Sequence, residues 1–126
     1  MNDVTTASLL FAAVGLLYIA LGVPLFRGQV KPNSWYGCRT TKTLSDEKIW
    51  YVVNRVTGRD MIAAGIAVLF SSLVVFLLRS QMNSDFAAAV LLAVLIIGVG
   101  IMVVNSLKAQ KTHVTNHAVR LESQNV

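Results

Sequence analysis

Phe86-Ala-Ala-Ala-Val-Leu-Leu-Ala-Val-Leu-Ile-Ile-Gly-Val-Gly-Ile-Met-Val-Val-Asn105 contains no Asp, Glu, Lys or Arg. A helix rises about 1.5 Å per residue, so a stretch of this length crosses a hydrocarbon layer of about 30 Å. Two further stretches, 7–26 and 61–78, are equally free of charge. Lipid offers no partners to open backbone groups, and none of the three shows the alternation of a barrel strand, so each reads as a helix. The second is slightly short and begins a turn earlier, giving spans at about 7–26, 59–78 and 86–105.

The rest of the chain confirms this by contrast. Of 126 residues, 55% are hydrophobic and 13% charged, with a mean hydropathy of +0.62. Soluble domains carry roughly 25% charged residues. The charges fall entirely outside the three stretches, which excludes a soluble globular domain, a disordered tail and a disulfide-knit secreted module. The chain reads as one all-α membrane domain with a connecting loop at 27–58 and a tail at 106–126. The first span is not a cleaved leader on this reading, because Asp3 and no Lys or Arg precedes it.

Orientation follows from the basic residues. Arg27, Lys31, Arg39, Lys42, Lys48, Arg55 and Arg59 lie in the first connection, Arg79 alone in the second, and Lys108, Lys111 and Arg120 in the tail. Basic loops stay in the cytoplasm, which puts the N-terminus outside and the tail inside. The net charge of +5 then faces anionic headgroups, so membrane lipids and not nucleic acid are the expected partners. Cys38 is the single cysteine, an ordinary free thiol in a reducing compartment.

Inside the spans the polar groups are Ser8, Tyr18, Ser71, Ser72 and, at the end, Asn105. A proton-coupled exporter needs an ionisable partner at membrane depth, and a channel a charged ring or filter; neither pattern is present. Gly15 and Gly22, Ala63 and Ala67, and Ala89 and Ala93 recur at helix-contact spacing. They pack the three helices together or, on a sharper reading, form the face of a homo-oligomer. Pro24 is expected to kink or end the first helix, and Gly98-Val-Gly100 to loosen the third.

The first connection is far longer than a connector needs to be. Over 44–57 it predicts an amphipathic helix, capped by Thr43 or Ser45, with Ile49, Val52, Val53 and Val56 on one face and Trp50 at its edge. Glu47, Lys48, Tyr51, Asn54 and Arg55 fall opposite. Glu47, Tyr51 and Arg55 stand four apart, a spacing that allows a hydrogen-bonded stripe. Gly58 then breaks the chain before the second span. Two placements satisfy this helix: along the inner leaflet, with the valines in the acyl boundary, or against the ends of the spans. Upstream, Pro32 and Asn33 mark a turn, Gly37 a special backbone angle, Trp35 and Tyr36 an interface, and Arg39 a fork for carboxylate or phosphate. Anchoring alone also accounts for these residues.

Pro-Asn-Ser-Trp-Tyr-Gly-Cys-Arg-Thr (32–40), Lys42-Thr-Leu-Ser-Asp46 and Trp50-Tyr-Val-Val-Asn-Arg55 followed by Gly58 resemble the SdpI/YfhL family of small bacterial membrane proteins. The resemblance covers residues 31–60, and the flanking spans agree with it. It implies an inner-membrane protein related to immunity proteins that protect cells from a membrane-active toxic peptide, and in the prototype a cytosolic repressor is held at the membrane. The motif carries over to Asn33, Trp35, Tyr36, Gly37, Arg39, Thr40, Trp50, Asn54 and Arg55. This chain has only a three-span module, without the prototype's additional N-terminal membrane region. No catalytic role and no cofactor come with the resemblance.

Three activities fit: protection by binding a toxic peptide, with Arg39, Asn33 and Asn54 as hydrogen-bonding partners; a small oligomeric transporter or channel; and a membrane anchor for a cytosolic regulator. No nucleophile–base pair points to an enzyme. His113 and His117, four apart, are two ligands where structural zinc takes four, so they read as part of a solvated tail.

Overall fold

The computed structural model describes residues 2–125. Its elements are α1 (Asp3–Phe26), α2 (Thr41–Ser45), α3 (Glu47–Leu77) and α4 (Ser84–Gln124); no strand occurs among the described residues. Helices α1, α3 and α4 are each long and apolar enough to cross a membrane, so the protein is a multi-pass membrane protein of all-α class. Helix α3 is central: α1 and α4 pack chiefly against it and only lightly against each other.

The bundle is built as lipid requires. Many of its inward positions are small or hydroxylated, including Ser8, Gly15, Gly22, Ala64, Gly65, Ser72 and Ala87. Leu10, Leu17, Phe70, Leu77, Ile96 and Ile97 point outward and lie exposed. Lipid tails are as apolar as leucine, so helices gain little by hiding large side chains and more by close backbone approach. Gly15 meets Gly65, and Gly22 meets Gly58, seven residues apart on each helix; a Cβ on Gly22 would lie 2.8 Å from the Gly58 carbonyl oxygen. At the end away from the 27–46 connection, Val4, Val75, Ala87 and Leu91 close the bundle, with Phe11 and Met82 against them.

Several expectations change. Gly58 does not break the chain: α3 runs through it, because its missing side chain lets the backbones of α1 and α3 touch. The amphipathic segment is therefore collinear with the second span and does not lie along a leaflet; of the two placements, burial against the bundle holds. Its start also differs. Thr40 and Thr43 form a reciprocal capping box around the five-residue α2, and Asp46 caps α3, accepting the Lys48 N–H at 2.9 Å. The buried face is rotated toward Ile49, Trp50, Val53, Asn54 and Thr57, leaving Val52 41% exposed and Val56 half-buried.

Pro24 lies inside the last turn of α1, which continues to Phe26. What stops the helix is Gly28 at φ +69°: its N–H reaches the Leu25 carbonyl (3.2 Å) and the Gln29 N–H the Pro24 carbonyl (2.9 Å). This is a Schellman closure, in which a glycine takes the left-handed position. Gly98 does not loosen α4, which is continuous; it admits Ala64 of α3, whose Cβ would be 2.9 Å from an added methyl.

Candidate functional site

Helices α3 and α4 continue past the last residue of α1, and the 27–46 connection fills the space that α1 leaves open. Trp50, fully buried, donates its indole N–H to the Val30 carbonyl at 2.9 Å. One turn on, Asn54 is the hub. Its Oδ1 accepts the Cys38 N–H at 2.6 Å, and its Nδ2 donates to the carbonyls of Trp50 (3.0 Å) and Cys38 (3.3 Å). The Thr43 hydroxyl donates to the Cys38 carbonyl (3.0 Å) and accepts the Thr40 N–H (2.7 Å). Thr40 in turn donates to Oε1 of Gln110 on α4 at 2.7 Å. A side chain that stands in for a strand or helix partner in this way satisfies groups that would otherwise be buried unpaired. Removing the Asn54 amide strands the Cys38 N–H and costs about 1–3 kcal/mol.

Gly37 makes this geometry possible. It sits at φ +108°, and a Cβ there would lie 2.6 Å from Oδ1 of Asn54 and 3.3 Å from the Trp50 ring. Both the angle and the close approach exclude other residues. Asn33 builds the turn before it: its Oδ1 accepts the N–H groups of Trp35 (2.8 Å) and Tyr36 (3.0 Å), and its Nδ2 donates to the Lys31 carbonyl (2.7 Å). This is the Asx turn expected at that position.

The motif residues therefore divide into two groups. Asn33, Gly37, Thr40, Trp50 and Asn54 hold the connection together, and the amides of Asn33 and Asn54 are engaged within it. Trp35, 86% exposed, Arg39 and Arg55 face outward, with Tyr36 half-buried between the groups. Arg39 donates one guanidinium N–H to the Ser34 carbonyl, and the remainder of its fork makes no hydrogen bond among the described residues. Arg55 lies beside Gly28 and, among the described residues, bonds neither Glu47 nor Tyr51, so the stripe that the spacing allows does not form. Burial pushes the Cys38 thiol above its ordinary pKa, which keeps it protonated.

The SdpI/YfhL protein family model matches residues 29–106, more than half of the chain and all but the first two residues of this connection. The chain belongs to that family. The match runs from the connection through the second span to the end of the third, so the family unit includes the helices that hold the motif as well as the motif. No curated protein and no solved structure matches the chain.

Sequence reading missed a second polar layer, one turn deeper. Thr57 and Ser106 share a hydroxyl–hydroxyl bond of 2.6 Å between α3 and α4. Asp60, 9% exposed, accepts from Asn105 at 2.9 Å and pairs with Arg59 at 3.0 Å. The signal was present: Asp60 and Asn105 are polar residues at the edges of charge-free stretches on the same side of the bundle. Grouping Asp60 with the basic connection concealed it.

Proposed function

We propose that the protein is an immunity or resistance protein of the SdpI type, which protects a bacterial cell from a membrane-active toxic peptide by binding it, without catalysis. The observation that carries this reading is the divided motif: five residues build a loop whose polar groups are internally satisfied, and Trp35, Arg39 and Arg55 are left on its surface. A rigid support with an aromatic and two guanidinium groups suits capture of an amphipathic chain at a headgroup boundary. The basic connection and tail support an inner-membrane location with the N-terminus outside and the tail in the cytoplasm.

Survival under toxin challenge tests this. Cells carrying Arg39→Ala, with membrane abundance equal to wild type, are expected to become sensitive, because the side chain's one bond within the loop, to the exposed Ser34 carbonyl, is replaceable by water. Equal survival of wild type, Arg39→Ala and a deletion strain defeats the reading.

A second reading, an anchor for a cytosolic regulator such as a repressor, is favoured by the part of α4 beyond Gln110, where most side chains lie exposed. Cross-linking in membranes from the protein's own host, at residues of that segment, is expected to return a soluble partner; return of lipid-embedded chains alone counts against it.

A further inference from the structure

A groove of about 290 Å³ runs between α3 and α4 on the lipid-facing side, and Asp60 stands at one end of it. The remaining walls are apolar, including Ala63, Ala67, Val94, Ile97, Gly98 and Ile101. Ala67 and Ile97 are exposed, so the groove opens sideways into the bilayer. From Asp60 to Ala67 on α3, and from Ile101 back to Val94 on α4, it extends for about 10 Å along the helices.

Asp60 does more than lock the helices. Thr57 and Ser106 already join α3 and α4 one turn away with neutral groups, and a neutral amide would accept from Asn105 equally well. A carboxylate that is nine-tenths buried beside lipid is expensive to place, and such groups mark sites of ligand or ion contact. Three donors reach it: Nε and Nη2 of Arg59 on Oδ1, and Nδ2 of Asn105 on Oδ2. A carboxylate has about four lone-pair sites, so acceptor capacity remains. Arg59 is 58% exposed, and a pair held by so solvent-facing a partner yields readily to a competing cation. The depth also fits: Asp60 and Asn105 mark the boundary at which the uncharged stretches begin, where an amphiphile in the leaflet carries its head.

We infer that this groove binds a cationic amphiphile, with an ammonium or guanidinium group on the Asp60 carboxylate and an apolar segment laid between Ala67 and Ile97. The inference goes beyond the binding function proposed above, adding a site apart from the Trp35, Arg39 and Arg55 surface and of opposite charge preference, and rests on that reading only for its biological purpose.

The test uses the full chain in phosphatidylcholine nanodiscs, with dodecylammonium, dodecanol and dodecyl sulfate as probes and equilibrium dialysis as the measurement. Wild type is expected to prefer dodecylammonium over dodecanol by roughly tenfold or more, the scale of one charge-assisted hydrogen bond, and to bind dodecyl sulfate least. Asp60→Asn, which keeps the acceptor for Asn105, is expected to lose that preference while still binding dodecanol. Ala67→Phe, on the lipid face where the fold does not depend on it, fills the groove and weakens both. An Asp85→Asn control, at the opposite end of α4, leaves the preference intact. Equal affinity for amine and alcohol in wild type, or an unchanged preference in Asp60→Asn with native helix content, overturns the inference. Toxin survival separates the two readings. Full protection by Asp60→Asn beside a sensitive Arg39→Ala strain rejects the groove as the binding site. Selective amine binding by a protein that gives no protection rejects the immunity reading and leaves the groove standing.

Discussion

The two halves of α3 follow opposite packing rules within one unbroken helix. From Glu47 to Asp60 the buried face carries bulky and polar groups, among them Ile49, Trp50, Val53, Asn54 and Thr57, as in a soluble domain. From Met61 to Leu77 the buried face carries Ala64, Gly65, Val68, Ser72 and Val75, while Ile66, Phe70, Leu73 and Leu77 turn outward. The backbone does not register the change; the surroundings do. Water rewards hiding a tryptophan, whereas lipid is indifferent to a phenylalanine and favours close backbone contact. The boundary falls at Gly58–Asp60, where the polar layer of Thr57, Ser106, Asp60 and Asn105 crosses the bundle.

This contrast is open to direct attack. The largest expected effect is the difference between Trp50→Ala and Phe70→Ala. Loss of the buried ring and its bond to Val30 is expected to cost about 3–5 kcal/mol, the range for large aromatic truncations in cores, while Phe70→Ala on the lipid face is near neutral. Reversible unfolding in mixed micelles measures both; equal effects would mean that the two halves are not packed differently. Gly58→Ala comes next, at about 1–3 kcal/mol for overpacking, since its methyl would meet the Gly22 carbonyl oxygen at 2.6 Å. Gly100→Ala, where nothing lies within 4 Å, is expected to be neutral or slightly stabilising by helix propensity. The smallest effect is chemical. With its thiol pushed up by burial, Cys38 holds less thiolate at neutral pH than a free cysteine and is expected to react more slowly with iodoacetamide, the rate rising as pH is raised. Asn54→Ala, which releases the Cys38 backbone, is expected to accelerate it.

The apolar half of the molecule was legible because a charge-free stretch of sufficient length has one physical solution in lipid. The loop was legible as a motif, down to the Asx turn at Asn33 and the special angle at Gly37. The rotation of the 47–58 face was not. A wheel that sorts residues by polarity sends Asn54 to solvent, whereas the Cys38 N–H and C=O need an amide inside, and only the folded connection reveals that demand. Gly58 misled for a related reason: between a helix and a span it reads as a hinge, and only the facing Gly22 shows it to be a contact point. Asp60 lost its significance to its basic neighbours in sequence, although its partner Asn105 lies in a different span.

Helix α4 runs for 41 residues without interruption, about 60 Å from end to end. It is packed on α3 at Ala87 and Leu91 near one end and bonded to it at Ser106 further along, is held by Thr40 of the connection at Gln110, and is free beyond. A rod held in that way is a lever. The arm beyond Gln110 is about 20 Å long, so any tilt of α4 as a whole displaces its free tip more than its packed length.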